Sequence, residues 1–177
     1  MYFTPFAFLA PVISDIQIIP APTTQFLLLG GGFTLYNAII LGGIVKLDST
    51  GSADSSFNMG TGFGISAPLF TIQQPDGKYL VGGVSISTYS GSSNTGVVRI
   101  NQNGTKDTTF NLGLGANNTP TDAASFSDNS NIMVGNFITY SGSTVNGMVK
   151  IAPSGNIDTS FNMGLGFQNS GLGNALS

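Results

Sequence analysis

The sequence predicts an all-β repeat protein, about three units of short antiparallel strands, stacked or arranged radially. Three observations predict it. A short block recurs at Asp54–Gly62, Asp107–Gly115 and Asp158–Gly166, with Phe57, Phe110 and Phe161 spaced 53 and 51 residues apart. Self-similarity at a fixed period of this size is the mark of solenoids and propellers. Each copy carries an alternating strand opened by a glycine: Gly43–Leu47, Gly96–Ile100 and Gly147–Ile151. The composition, with 25 glycines and only 7% charged residues, disfavours long helices and suits strands joined by glycine-dependent turns.

The elements follow in order within each copy. The first strand reads Val12–Ile19, then Leu69–Gln73, then a weaker Ala123–Phe126. A turn-rich stretch follows, such as Pro75-Asp76-Gly77, whose Asp-Gly is a hairpin signal. The second strand reads Phe26–Gly31, Tyr79–Gly83 and Asn131–Gly135. An irregular glycine/serine loop then carries Tyr36, Tyr89 and Tyr140, in phase with the block. The third strand comes next and stops at a turn around Gly51, Gly104 or Gly155. The Asp-x-x-Phe-Asn-x-Gly tail closes the unit as a short fourth strand or a tight loop.

Successive side chains of a strand face opposite ways. Val45 and Leu47 therefore share one face, and Ile44 and Lys46 the other. Both faces carry apolar side chains, so each sheet is expected to be covered on both sides by its neighbours. The units fall at 12–64, 65–117 and 118–168, after an N-terminal segment 1–11. Residues 169–177 are a tail or the start of a further unit. No linker separates the units, so the expected picture is a quasi-one-dimensional array with neighbour contacts.

Composition also excludes chemistry. Cysteine and histidine are both absent, which removes disulfides, thiolate or imidazole metal ligands and histidine-based triads. Glutamate is absent too. Four lysines and one arginine are spread along a chain of net charge -3, so no basic patch exists for nucleic acid. The apolar start, Met1–Ala10, lacks a basic n-region and is broken by Pro5, with Pro11 following. It reads as neither a signal peptide nor a membrane-inserting helix.

The recurring residues resemble a known family. Gly30, Gly31, Phe33, Thr34, Tyr36 and Asn37, then Gly43, Val45, Lys46 and Leu47, then Gly51, Asp54, Ser56, Phe57, Asn58 and Gly60 are similar to the delta-60 repeat. The second and third copies follow the pattern, with Val84-Ser85-Ile86 in place of the Phe-Thr step and one glycine of the later pair lost. The resemblance covers roughly 12–168. It implies β-propeller-like blades and a setting in large bacterial surface or secreted proteins. It carries no catalytic residues. About three blades fall short of the four or more of a closed propeller, so either several chains complete a ring, or the sequence is part of a larger product, or the arrangement does not close.

Two sets of residues are candidate sites. Asp54, Asp107 and Asp158 offer one carboxylate per repeat, and the oxygens around Asp48-x-Thr50-Gly51-Ser52-x-Asp54 suggest calcium. The third copy offers too few such oxygens, and the aspartates read better as turn acceptors. They stand with Phe57, Asn58, Phe110, Asn111, Phe161 and Asn162 as structural markers, the phenylalanines as buried anchors between blades. Tyr36, Tyr89 and Tyr140, beside polar loops, are candidate ligand contacts, with a glycan the natural ligand for an amphipathic ring. No catalytic, cofactor or metal residue is assigned.

The sequence thus predicts a non-enzymatic structural module of an extracellular surface assembly or virus particle, such as a fibre or tail component. Its expected partners are copies of itself or a larger assembly, through open β edges. The alternative is a carbohydrate- or surface-binding module built on the tyrosines.

Overall fold

In the computed structural model the structure describes residues 12–20, 26–64, 66–84, 86–162, 164 and 167. The N-terminal segment 1–11 and the tail 169–177 lie outside them. The first repeat contains β1 (Val12–Ile19), β2 (Phe26–Gly32), β3 (Leu35–Tyr36), β4 (Ile39–Ile40) and β5 (Ile44–Leu47). The second contains β6 (Ala67–Gln73), β7 (Tyr79–Val84), β8 (Thr88–Tyr89), β9 (Ser92–Ser93) and β10 (Val97–Ile100). The third contains β11 (Pro120–Ser125), β12 (Asn131–Gly135), β13 (Thr139–Tyr140), β14 (Ser143–Thr144) and β15 (Met148–Ile151).

Each repeat folds into a three-stranded antiparallel sheet with its second strand in the middle: β1-β2-β5, β6-β7-β10 and β11-β12-β15. A register shift recurs in the first strand of each, between Ile13 and Asp15, Pro68 and Phe70, and Pro120 and Asp122. Proline is tolerated there because the first strand is an edge and the ladder is already interrupted. The third repeat's first strand therefore begins at Pro120, earlier than its side chains suggest, and ends before Phe126.

The glycine/serine loop is more regular than its composition predicts. In every repeat it contains a two-residue hairpin, β3–β4, β8–β9 or β13–β14. Both central residues of these turns have positive φ: Asn37 (46°) and Ala38 (63°), Ser90 (48°) and Gly91 (75°), Ser141 (46°) and Gly142 (84°). That is the turn whose twist matches a hairpin's strands. Among the described residues the tail forms no fourth strand. It makes a single bridge back to the third strand, Leu47 to Ala53, Ile100 to Lys106 and Ile151 to Ile157.

The sheets stack in series. One face of each, here the front, carries Leu29 and Val45, Val81 and Val98, or Met133 and Val149, which are paired across the strands. The opposite face, the back, carries Leu28 and Lys46, Leu80 and Arg99, or Ile132 and Lys150. The back of sheet 1 (Ile19, Leu28, Ile44) shares one buried cluster with the front of sheet 2 (Val81, Tyr89, Val98, Ile100). The back of sheet 2 (Phe70, Leu80, Val97) shares another with the front of sheet 3 (Met133, Tyr140, Val149, Ile151). The expectation of sheets with two apolar faces is met at both internal contacts. Among the described residues the three sheets do not close into a ring.

Candidate assembly interface

The recurring tail is what joins one sheet to the next. Its first residue builds a turn. Asp54 Oδ1 accepts the Ser56 N–H at 2.9 Å and its hydroxyl at 2.6 Å, while Oδ2 pairs with Lys46 Nζ at 2.9 Å. Asp158 does the same with Ser160 and Lys150. Asp107 holds Thr109 and takes two cations, Arg99 Nε at 2.7 Å and Lys78 Nζ at 2.8 Å. The aspartates are thus clasps that pin the tail to the third strand. Their oxygens are taken by protein donors, and no group of three or more His, Cys, Asp or Glu gathers among the described residues.

Electrostatics follow from that geometry. Burial pushes the Asp107 carboxyl up, but hydrogen bonds from Lys78, Thr109 and Arg99 outweigh it and hold it well below the ordinary range. Asp158 is lowered to about 2, chiefly by the Ser160 hydroxyl and then by Lys150. Arg99 and Asp107 are both buried, and Arg99 also donates to the Pro153 carbonyl, at 2.5 Å, so this pair reaches across to the third repeat.

The clasp aims the next residues at the following sheet. Phe57 meets Tyr79 of the second repeat edge to face, ring centroids 6.4 Å apart, and Phe110, under its own repeat's Arg99 guanidinium at 4.3 Å, joins the buried cluster of Met133 and Val149. The Asn58 N–H then donates to the Asn103 carbonyl at 2.6 Å, and the Asn111 N–H to the Ser154 carbonyl at 2.8 Å. Each acceptor sits in the glycine turn of the next repeat. A Cβ on Gly104 would lie 3.0 Å from the Asn58 backbone, and one on Gly155 2.7 Å from the Asn111 oxygen. These glycines, with φ of 84° and 95°, let the two backbones meet. Further on, the Phe63 ring covers Tyr89 at 4.7 Å.

The tyrosines stand elsewhere than a ligand contact requires. Tyr89 and Tyr140 are buried, and their hydroxyls donate to the Gly104 and Gly155 carbonyls at 2.5 and 2.9 Å. Tyr36 makes the same bond to Gly51 but is only half-buried. Burial pushes the Tyr89 and Tyr140 hydroxyls up. Each ring locks its hairpin loop to the turn of its own repeat. The reading of Tyr89 and Tyr140 as ligand-facing is corrected, because the preceding repeat covers them. A signal for this bond was present in the sequence, since tyrosine and acceptor glycine are 15 residues apart in all three copies.

The phenylalanine anchors divide. Phe57 is 5% exposed and Phe110 8%, but Phe161 is 37% exposed. The expectation that Phe161 is buried is not met: among the described residues no further sheet packs on it. Sequence reasoning did not pair Phe63, Asn103 or Ser154 with their partners, which lie in a different repeat; the only signal was Phe167, which follows Phe161 at the spacing of Phe63 after Phe57.

Beside each inner clasp runs a cleft between third strand and tail. It measures about 270 Å³ next to Arg99 and Phe110, and about 450 Å³ next to Val45 and Phe57. Arg99 and Asp107, and Lys46 and Asp54, pair at its walls, and Lys106 donates to the Ser93 carbonyl at 2.8 Å, so the arrangement holds chain segments together.

Two segments match a β-propeller family. Residues 74–110 and 127–161 fit the model described as a domain of unknown function (DUF5122), beta-propeller. Each matched segment runs from the turn before the second strand to the tail phenylalanine, Phe110 or Phe161. No curated protein and no solved structure matches the chain.

Proposed function

We propose that this chain is a non-enzymatic structural module that works by stacking on further blades, in an extracellular surface assembly or a virus particle. One observation carries the reading. The anchor that is buried at Phe57 and Phe110 stands 37% exposed at Phe161, on a tail otherwise folded like the inner two. Single exposed apolar residues are ordinary. One at the position that elsewhere seats the next sheet is a contact surface without its partner. The spacing that resembles the delta-60 repeat, and the propeller-family match over two segments, support blades as the building unit.

Light scattering on the purified chain tests the reading. A mass above the 18.2 kDa of one chain is expected. A monodisperse single chain at high concentration would count against it.

A further inference from the structure

The described array of three sheets has two complementary outer faces. The last tail presents Phe161, the backbone of Asn162 and, beyond it, Phe167, which is 69% exposed. The Asn162 side chain already caps Gly164 as Asn58 caps Gly60 and Asn111 caps Gly113. Among the described residues no carbonyl meets the Asn162 N–H, whereas the Asn58 and Asn111 N–H groups each reach the next repeat. The back of sheet 3 beside it shows half-buried Ile132 and Met148, with Phe126 45% exposed.

The front of sheet 1 is the matching socket. Ile16 and Ile18 are exposed there, while Thr71 and Ala123, at the place of Ile16 in the other repeats, are buried and half-buried. Tyr36 is half-buried where Tyr89 and Tyr140 are buried. The turn of Gly51 is empty: a Cβ there would meet only the Tyr36 hydroxyl, at 3.6 Å, where Gly104 and Gly155 carry a neighbour's backbone.

We propose that a second copy of this chain fills both faces. Its last tail docks on the first sheet as the inner tails dock on sheets 2 and 3. Asn162 N–H donates to the Thr50 carbonyl, as Asn58 does to Asn103, and Phe167 covers Tyr36 as Phe63 covers Tyr89. The occupant is this chain because the two halves of the contact, and two internal examples of it, are all in this chain. The proposal includes closure of the ring by this contact. Propellers have about 4–8 blades, and copies of a three-sheet chain reach that range only at six. With the three described sheets per copy, the proposed assembly is a two-chain, six-bladed ring with two identical contacts, a heterologous contact whose rotation closes. This inference rests on the stacking function proposed above.

The chain has no cysteine, so disulfide trapping is clean. A Thr50→Cys, Asn162→Cys double variant, oxidised, is expected to run as a covalent dimer and no further. An Asn111→Cys, Ser154→Cys variant reproduces the contact inside one chain and calibrates the geometry. A ladder beyond the dimer would overturn closure. No cross-link, where the internal pair oxidises, would overturn the docking. A Phe161→Asp variant gives a second reading, because its side chain is the most exposed of the three anchors. Its mass is expected to fall from twice 18.2 kDa to 18.2 kDa with the circular dichroism unchanged. A mass that stays doubled overturns the contact at Phe161. A chain that assembles without these cross-links refutes the inference and leaves the stacking function standing; a chain that stays single refutes both.

Discussion

Removing one hydroxyl from the same place in three repeats separates a buried lock from a half-open one. In Tyr89→Phe the ring stays and only the hydrogen bond to Gly104 goes. Gly104 is buried, so its carbonyl loses its donor and water does not replace it. Leaving a buried acceptor unpaired costs about 1–3 kcal/mol. Tyr140→Phe falls in the same range, since Gly155 is also buried. Gly51 is half-buried and the Tyr36 hydroxyl lies near solvent. Water can take over there, and Tyr36→Phe is expected to cost at most about 0.5–1.5 kcal/mol, the net worth of an ordinary hydrogen bond. Urea unfolding followed by circular dichroism, at dilute single-chain concentration, reads the difference. With a slope of about 2 kcal/mol/M, a loss of about 2 kcal/mol moves the midpoint by about 1 M. A Tyr36→Phe loss equal to that of Tyr89→Phe, or a neutral Tyr89→Phe, would refute the assignment of these rings as locks graded by burial.

Other expectations follow from the same contacts. Asp107→Asn leaves Arg99 buried without its anion and is expected to cost about 3–5 kcal/mol in chemical denaturation, with Asp54→Asn and Asp158→Asn milder because their clasps are nearer solvent. Phe110→Ala should cost about 3–5 kcal/mol, and Phe161→Ala clearly less in the isolated chain; equal losses would contradict the exposed last anchor. Gly155→Ala forces a Cβ against the Asn111 backbone, so it should destabilise more than Gly51→Ala, which shares the positive φ but has open space. Acid titration should show a loss of stability below about pH 4, because Asp107 and Asp158 are lowered on folding. Their contribution is present above the unfolded value of about 3.9 and is lost as pH falls through the folded ones, near 2 for Asp158. At the alkaline end burial raises the Tyr79 hydroxyl to about 12. Its contribution is full below the unfolded value of about 10 and disappears as pH rises through the folded one, so thermal melts should drop across that window.

Local signals carried much of the fold. Strands such as Tyr79–Val84 and Met148–Ile151 alternate or run apolar between glycine and asparagine turns, and period-two side-chain geometry turns that directly into structure. The hairpins at Asn37-Ala38, Ser90-Gly91 and Ser141-Gly142 were harder to read. Two of them put a serine, and one an alanine, at a positive φ that composition alone does not announce. The burial of Tyr89 and Tyr140 was hard to read for a related reason. Proximity to a polar loop in the sequence does not say which side of the sheet a ring occupies, and the neighbouring repeat decides that.

The sequence by itself determined the repeating units, their main strands, and the turns that Asp54, Asp107 and Asp158 accept in, because those interactions close within one repeat. Only the tertiary structure decided which faces meet. Asn58 finds Asn103, Asn111 finds Ser154, and Phe63 finds Tyr89 across repeat boundaries. Identical blocks therefore end in different surroundings. Burial depends on what lies opposite a side chain, and for Phe57 and Phe110 that is another sheet, while for Phe161 it is solvent.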